Sequence, residues 1–434
     1  MPKYNYLLLA LIIILIPLYP KFPLFGVTGT FVSIRLEDIV IAAILGIYGI
    51  NLIIARFRPL AKPIPRAIIL YWCVGLVAVF SGIFLTKTAT VNMGLLHLFR
   101  RVEYMSLFLV AFDWLQDRAQ LSFLIKTLIV VSFLVAIYGL GQQFLHFPVI
   151  STTNSEYSKG LAMGLGPGAR VNSTFGGSYD LAAFCVFPLL LLIALIPVSA
   201  KRWFLITIGG LVYWAMLLSA SRVTFVSFFL SASLLLVLIR KKVWIVPLVI
   251  VSIIGVLVSP QLKGRYLEFI TNHLRISLVS SVSAQTATAE SKAVDTVPEA
   301  LQPPAVPEDR SFNIRLRVEW PKAVRSFVKN PLLGTGFSSV GLAVDNEYLR
   351  ILAETGLLGF LAFVLIFIRF FKTSLPTVLH YTPSVESAFI TAATCAVFSL
   401  LVSSIFIDYF TASKIALVAW TLIGLTEKAK ILKT

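Results

Sequence analysis

The chain has 434 residues, of which 58% are hydrophobic and only 13% are charged, and its formal net charge is +17 at pH 7. This composition, with a mean hydropathy of +0.90, excludes an ordinary soluble globular protein. The basic residues are spread over many connecting segments instead of lying together on one face, so the charge does not indicate a nucleic-acid partner.

The apolar runs predict an all-α, polytopic membrane protein. They are about 16 to 25 residues long, enough for a helix to cross a hydrocarbon core of roughly 30 Å, and they lack the alternation of barrel strands. The first run follows Lys3 as in a secretory signal, but no small-residue cleavage site comes after it, so we interpret it as a retained span. The runs predict about twelve transmembrane helices, at 5–20, 37–55, 67–85, 93–114, 122–144, 179–198, 203–219, 224–239, 243–259, 346–371, 385–407 and 413–427.

Basic residues set the expected orientation, because cytoplasmic segments carry an excess of Lys and Arg. With the N-terminus inside, seventeen basic residues fall on inner segments and seven on short outer segments. Both termini are therefore expected in the cytoplasm, with the large loop 260–345 between the ninth and tenth helices on the periplasmic or extracellular side. Residues 1–434 would form a single integral membrane domain. Within the loop, 264–279 resemble an interfacial helix, and 281–309 are predicted to be disordered.

Five charged residues fall on the outer side of this topology, although they lie far apart in the sequence. Four are arginines, whose planar guanidinium groups suit phosphate oxygens and stay charged at any working pH. Several such groups on one membrane face would hold a lipid-linked pyrophosphate and stabilise it as a leaving group. Interfacial snorkelling is the alternative interpretation of each arginine. The five residues are Arg170, Arg222, Arg315, Arg317 and Asp345.

Two carboxylates at the start of the tenth predicted span admit two interpretations each. Asp345 is either a group that orients or deprotonates an acceptor hydroxyl, or the cap of the following helix. Glu354 would lie roughly 13 Å deeper, at about 1.5 Å per residue, where a carboxylate needs a partner. It is either a substrate contact or part of a structural ion pair with Arg350 or with Arg100 or Arg101 of the fourth span.

The sequence predicts no cofactor and no metal site. The three cysteines, Cys73, Cys185 and Cys395, lie inside apolar spans, where packing is the expected role. No zinc spacing, Gly-rich phosphate loop or Ser-His-Asp signature stands out.

Four motifs follow one another along the chain, and each of them alone is weak. The first is Arg-Val-Asn-Ser-Thr-Phe at 170–175, ahead of a span that begins at Tyr179, and the second is Ser-Ala-Ser-Arg at 219–222. The third is Arg315 with Trp320 and the turn 330–336; the fourth is 345–349 with 354–359. In their order and spacing, they resemble the O-antigen ligase and O-antigen polymerase superfamily along most of the chain.

This resemblance implies a C-type membrane glycosyltransferase that works without a metal and with inversion at the anomeric carbon. Such enzymes transfer a glycan from an undecaprenyl-pyrophosphate carrier to a hydroxyl of a glycan or lipid-glycan acceptor. Carried onto this sequence, Arg170, Arg222 and Arg315 would bind the diphosphate. The residues expected to contact substrate are Arg317, Asn346, Tyr348 and Glu354.

One position departs from the superfamily pattern. Members that join O-antigen to the lipid A core in lipopolysaccharide assembly typically have His immediately before the Asn-x-Tyr-Leu run, and this chain has Asp345 there. The difference fits a polymerase, or another transferase of surface-polysaccharide biosynthesis, at least as well as a ligase. The alternative from another class is a transporter or flippase of lipid-linked glycan, which would place ionisable residues near the bilayer midplane within broken helices.

Overall fold

The computed structural model describes residues 4–20, 22–26, 33–149, 169–259, 262–264, 266, 315–341 and 344–433. The predicted interfacial helix 264–279 falls almost entirely outside these residues, and the predicted disordered stretch 281–309 falls wholly outside them. The α-helices of the described part are α1 (Asn5–Leu18), α2 (Leu36–Ile54), α3 (Pro63–Phe80), α4 (Val91–Trp114), α5 (Arg118–Phe144), α6 (Ser178–Leu195), α7 (Arg202–Leu218), α8 (Arg222–Leu238), α9 (Ile245–Val258), α10 (Trp320–Lys329), α11 (Glu347–Leu379), α12 (Val385–Ser403) and α13 (Ser413–Lys433).

Every predicted span coincides with one helix, and α10, a helix of the described part that no span predicted, precedes the tenth span. Within the described ranges, six helices are long and apolar enough to cross a membrane: α2, α3 with the π-helical turn that extends it to Leu85, α5, α6, α11 and α12. Helices α1, α7, α8 and α9 are apolar but shorter. The chain is therefore a multi-pass helical membrane protein, and the number of twelve crossings stays a prediction.

The helices pack around an apolar interior and leave large apolar side chains on the outside. The closest neighbours are α4 with α13, α3 with α11, and α12 with both α6 and α8. Trp114 and Trp420 are fully buried, whereas Ile54 and Trp203 are more than two-thirds exposed. Such exposed apolar side chains are costly in water, and they suit a surface that faces lipid. A short antiparallel pair that the sequence did not predict, β1 (Pro23–Gly26) and β2 (Ser33–Arg35), lies ahead of α2.

Helix α11 differs from the continuous helix predicted for the tenth span. It runs on to Leu379, and it is broken at Gly356, where φ is 65° and ψ is −171°. The segment 331–336 supplies the hydrogen bonds that the break removes: the Leu357 N–H donates to the Pro331 carbonyl at 2.8 Å, and the Thr335 N–H donates to the Ala353 carbonyl at 2.9 Å. Because the freed backbone groups are satisfied in this way, an interrupted helix is tolerated inside an apolar body.

A substitution at Gly356 tests this arrangement. A Cβ atom there would lie 2.4 Å from the Leu332 carbonyl oxygen, and its positive φ disfavours any L side chain. We expect Gly356→Ala to lower the free energy of unfolding by more than the roughly 1–2 kcal/mol of the left-handed backbone alone. Thermal unfolding in detergent measures the change. The control is Gly49→Ala in α2, which has open space around the new methyl group; equal midpoints for both variants would contradict the expectation.

Candidate active site

Tyr179, in the first turn of α6, brings together two arginines that are distant in the sequence. The guanidinium carbon of Arg170 lies 5.4 Å from the centroid of the Tyr179 ring. The Tyr179 side chain also lies close enough to Arg315 to raise the pKa of its guanidinium. An aromatic face attracts a guanidinium group, so one tyrosine positions Arg170 and Arg315 beside each other.

Asp345 joins this pair of arginines through Arg315. The Asp345 Oδ2 atom lies 3.0 Å from Arg315 Nη2 and 3.1 Å from Arg315 Nε. Burial alone would lower the pKa of the Arg315 guanidinium, but Asp345 and Tyr179 raise it above its usual value. The carboxylate side chain keeps 15% of its surface exposed, whereas Arg315 keeps 7%. Asp345 is therefore the more accessible member of the ion pair.

The backbone around Asp345 is fixed by a second carboxylate, Asp408, in the connection between α12 and α13. Asp408 accepts hydrogen bonds from the N–H groups of Val344 (3.1 Å), Asp345 (3.2 Å) and Asn346 (2.9 Å). These bonds hold Asp345 at a φ of 52°, a left-handed conformation that few residues other than Gly adopt. Asp408 thus determines the direction in which the Asp345 side chain leaves the backbone.

Asp408 is itself paired with Arg350. Arg350 Nη2 lies 2.9 Å from Asp408 Oδ2, and Arg350 Nε lies 3.1 Å from the same atom. Burial alone would raise the pKa of Asp408, but the Arg350 guanidinium and the backbone N–H donors hold this pKa below its usual value. The carboxylate is therefore ionised at neutral pH.

The same network continues into the helical body. Arg350 Nη1 lies 3.2 Å from Glu354 Oε1. Arg101, in α4, contacts two carboxylates: its guanidinium lies 4.0 Å from the other oxygen of Glu354 and 3.8 Å from Glu347 Oε1. Glu347 also accepts the Phe410 N–H at 3.0 Å. Of the two candidate partners in the fourth span, Arg101 is thus the one that reaches Glu354. These contacts favour the structural interpretation of Glu354 over the substrate contact.

Two further residues expected to bind substrate have roles at the start of α11. Asn346 is the N-cap of this helix, because its side-chain oxygen accepts the Leu349 N–H at 3.0 Å. The alternative interpretation of Asp345 as the helix cap is therefore wrong. The Tyr348 hydroxyl donates to the Leu401 carbonyl of α12 at 2.7 Å. Both contacts hold α11 in place beside Asp345.

Arg222 is the first residue of α8, and hydrogen bonds connect this helix end to Tyr179. The Thr224 hydroxyl lies 2.7 Å from the Tyr409 hydroxyl, which in turn donates to the Tyr179 carbonyl at 3.3 Å. Arg222 itself is half-buried. Arg317 differs from the other arginines, because it is exposed although Arg315, two residues before it, is buried. The structure thus brings Arg170, Arg315 and Asp345 together, with Arg222 at the adjoining helix end.

The sequence did not indicate that Asp408 and Tyr409 belong to the candidate site, and it identified Tyr179 only as the start of a predicted span. The signal for Asp408 was present, since it is a single acidic residue between two apolar runs, and ionisable residues in such places usually serve a function. Its partners could not be inferred, because they lie about sixty residues away, across an entire helical hairpin. Within the described ranges, no group of three or more His, Cys, Asp or Glu side chains is arranged to hold a metal ion.

The fold and the site define a multi-pass helical membrane protein with arginines and a carboxylate at one end of its helices. Residues 206–364 match the family model described as O-antigen ligase. The resemblance to the O-antigen ligase and polymerase superfamily is thereby confirmed for the part of the chain from α7 into α11, which is similar to O-antigen ligases. A search among curated proteins found no match.

Removing the Asp408 charge should destabilise the protein strongly. Asp408→Ala leaves Arg350 without one of its carboxylates and three backbone N–H groups without their acceptor. We expect a loss of about 3–5 kcal/mol in the free energy of unfolding, which is typical of breaking a buried ion pair. Thermal or denaturant unfolding in detergent measures it.

The control is Asp117→Ala, which removes an exposed helix-capping Asp of α5 and should lower the free energy of unfolding by only about 1 kcal/mol. An equally small loss for Asp408→Ala would show that the contacts of Asp408 do not stabilise the protein.

Proposed function

We propose that the chain is a membrane glycosyltransferase that ligates or polymerises lipid-linked oligosaccharide at the outer face of the cytoplasmic membrane, in O-antigen or other surface-polysaccharide assembly. One observation carries this proposal: Arg170 and Arg315 meet on Tyr179, and Arg315 pairs with Asp345. Cationic groups and a partly exposed carboxylate thus lie in one place. The O-antigen ligase match over 206–364 supports the same class of reaction.

The arginines suit a pyrophosphate leaving group. A guanidinium group offers donors in a planar fork that matches phosphate oxygens, and it stays charged throughout the reaction. When the bond between the anomeric carbon and the diphosphate breaks, the bonding electrons leave with the phosphate oxygen. Arg170, Arg222 and Arg315 stabilise the charge that develops there.

Asp345 acts on the other substrate. The acceptor hydroxyl attacks the anomeric carbon from the face opposite the leaving diphosphate, so the configuration inverts. Its proton passes to the Asp345 carboxylate, which also orients the hydroxyl. The Arg315 group that holds Asp345 therefore links the acceptor side of the site to the diphosphate side.

The proposed donor is an undecaprenyl-pyrophosphate-linked glycan, and the proposed acceptor is a glycan or a lipid-linked glycan. The resemblance to the O-antigen superfamily supports this substrate class. Asp345, which stands where ligases typically have His, favours a polymerase or a transferase with another acceptor over ligation to a lipid A core.

Transport of the same lipid-linked glycan is the rival function. The broken helix α11 and its buried ionisable residues are features that transporters also have. Vesicles with a synthetic carrier-linked glycan distinguish the two functions. Formation of a new glycosidic bond supports the transferase, and movement of the glycan across the bilayer without bond formation supports the transporter.

Substitutions at the site test the mechanism. We expect Arg315→Ala and Asp345→Asn each to lower the rate of glycan transfer roughly a hundredfold or more, because each removes a charge that stabilises the transition state or takes up a proton. Chromatography of the reaction products measures transfer. The double variant Arg222→Ala with Asp345→Ala should be inactive, and normal transfer by it would overturn the proposed mechanism.

Arg317→Ala provides the matched control for Arg315→Ala. It removes the same charge two residues further along, from an exposed position. It should lower transfer less than about threefold, in line with the small effect of a solvent-exposed charge. An equal loss in the two variants would mean that charge along this turn, and not the contact with Asp345 and Tyr179, supports the reaction.

A further inference from the structure

A second polar region lies at the opposite end of the helical body from Asp345. It is a cavity of about 360 Å³ between the start of α3, the end of α4 and the C-terminal parts of α11 and α13. Binding sites for small molecules measure roughly 300–1,000 Å³, so the volume suffices for a lipid headgroup. By the expected orientation, this end faces the cytoplasm. The lining residues on which the argument depends are Lys62, Pro63, Phe112, Thr377, Glu427 and Lys430.

Two ammonium groups converge on one aromatic ring at this cavity. Lys62 Nζ lies 4.0 Å from the centroid of the Phe112 ring, and Lys428 Nζ lies 5.8 Å from the same centroid. Burial lowers the pKa of Lys62; Asp113 opposes this effect, and the positive charge of Lys428 lowers the pKa further. Asp113 also accepts a hydrogen bond of 2.5 Å from the Tyr48 hydroxyl, and its carboxylate offsets one of the two ammonium charges, so Lys62, Lys428 and Asp113 together keep an excess positive charge.

On the inner wall of the cavity, the positive charge of Lys430 is neutralised by the Glu427 carboxylate. Lys430 Nζ donates to Glu427, to the Thr373 hydroxyl at 2.8 Å and to the Ser374 hydroxyl at 3.1 Å. Lys430 and Glu427 are both buried. The charges of Lys430 and Glu427 therefore offset each other, and the excess positive charge at the cavity comes from Lys62 and Lys428, both of which lie near the Phe112 ring.

The apolar part of the lining indicates what kind of anion fits. Pro63, Phe108, Phe112 and Ile431 line the same cavity as Lys62. A free hydrophilic anion gains nothing from such a wall, whereas the glycerol and first acyl carbons of a phospholipid are stabilised by burial there. Basic pockets between transmembrane helices on the cytoplasmic side are a recognised type of site for anionic headgroups.

We propose that this cavity binds the headgroup of an anionic phospholipid from the cytoplasmic leaflet. Lys62 and Lys428 neutralise the phosphate, and the Thr377 side chain lies beside it in the lining. The apolar lining holds the glycerol and the start of the acyl chains. The bound lipid joins α3, α4, α11 and α13 at the end remote from the candidate active site, so it stabilises the helical body without entering the chemistry.

Native mass spectrometry and thermal unfolding of the full chain in detergent test this proposal. The probes are phosphatidylglycerol, phosphatidylcholine with the same acyl chains, and glycerol 3-phosphate without acyl chains. We expect phosphatidylglycerol to bind and to raise the unfolding midpoint more than either other probe. Lys62→Gln with Lys428→Gln should weaken its binding roughly fivefold for each ammonium group removed.

The matched control is Lys241→Gln with Lys242→Gln, which removes the same charge from exposed positions between α8 and α9, at the same predicted membrane face. Unchanged binding in this control, together with the loss in the Lys62 and Lys428 variant, supports the site. Equal losses in both variants would show diffuse charge attraction and overturn the proposal. Equal effects of phosphatidylcholine, or of glycerol 3-phosphate, would also overturn it, since they would show respectively no selectivity for anionic lipid or a site for free phosphate.

Discussion

The candidate site depends on the hydrogen bonds that the Asp408 carboxylate accepts from three consecutive backbone N–H groups, those of residues 344–346. Asp408 fixes the chain at 344–346, and Arg350 fixes Asp408. Leaving a carboxylate unpaired in an apolar body costs several kcal/mol, so the anion is kept only because five donors surround it. The result is a defined backbone at Asp345, which has a φ of 52°, in the left-handed region that Asp enters more readily than most residues other than Gly.

The deeper charges obey the same requirement. Arg101 and Arg350 face three carboxylates, those of Glu347, Glu354 and Asp408. Backbone N–H groups of the turns around 338 and 410 complete the hydrogen bonds of the two glutamates. Since the network spans α4, α11 and the α12–α13 connection, it ties together segments that apolar packing alone would leave free to slide. In the proposed transferase, rigidity at this point would favour the reaction, because charged groups that are already in place need no rearrangement during it.

The positions of the helices along the chain could be predicted from the sequence, because long apolar runs in a membrane leave the backbone few choices. The break at Gly356 could not, because apolar residues continue on both sides of it and the hydrogen-bond partners of its freed backbone groups come from the separate segment 331–336. Likewise, Arg100 and Arg101 look equivalent in sequence, yet adjacent residues of a helix point about 100° apart, and it is Arg101 whose guanidinium lies 4.0 Å from Glu354. The convergence of Arg170 and Arg315 on Tyr179 depends on tertiary packing, which no spacing in the sequence reveals.

The position of Asp408 so late in the chain has a consequence for biogenesis. A ribosome releases the polypeptide from its N-terminus onward. The four candidate site residues therefore enter the membrane before Asp408, which fixes the backbone at Asp345, has been translated; they are Arg170, Arg222, Arg315 and Asp345. Until the turn that follows α12 emerges, the three N–H groups at 344–346 lack their acceptor and the carboxylate of Asp345 has no defined direction. The candidate site therefore acquires the geometry described here only when the last helical hairpin inserts, and a nascent chain stalled before that step lacks the contacts that fix Asp345.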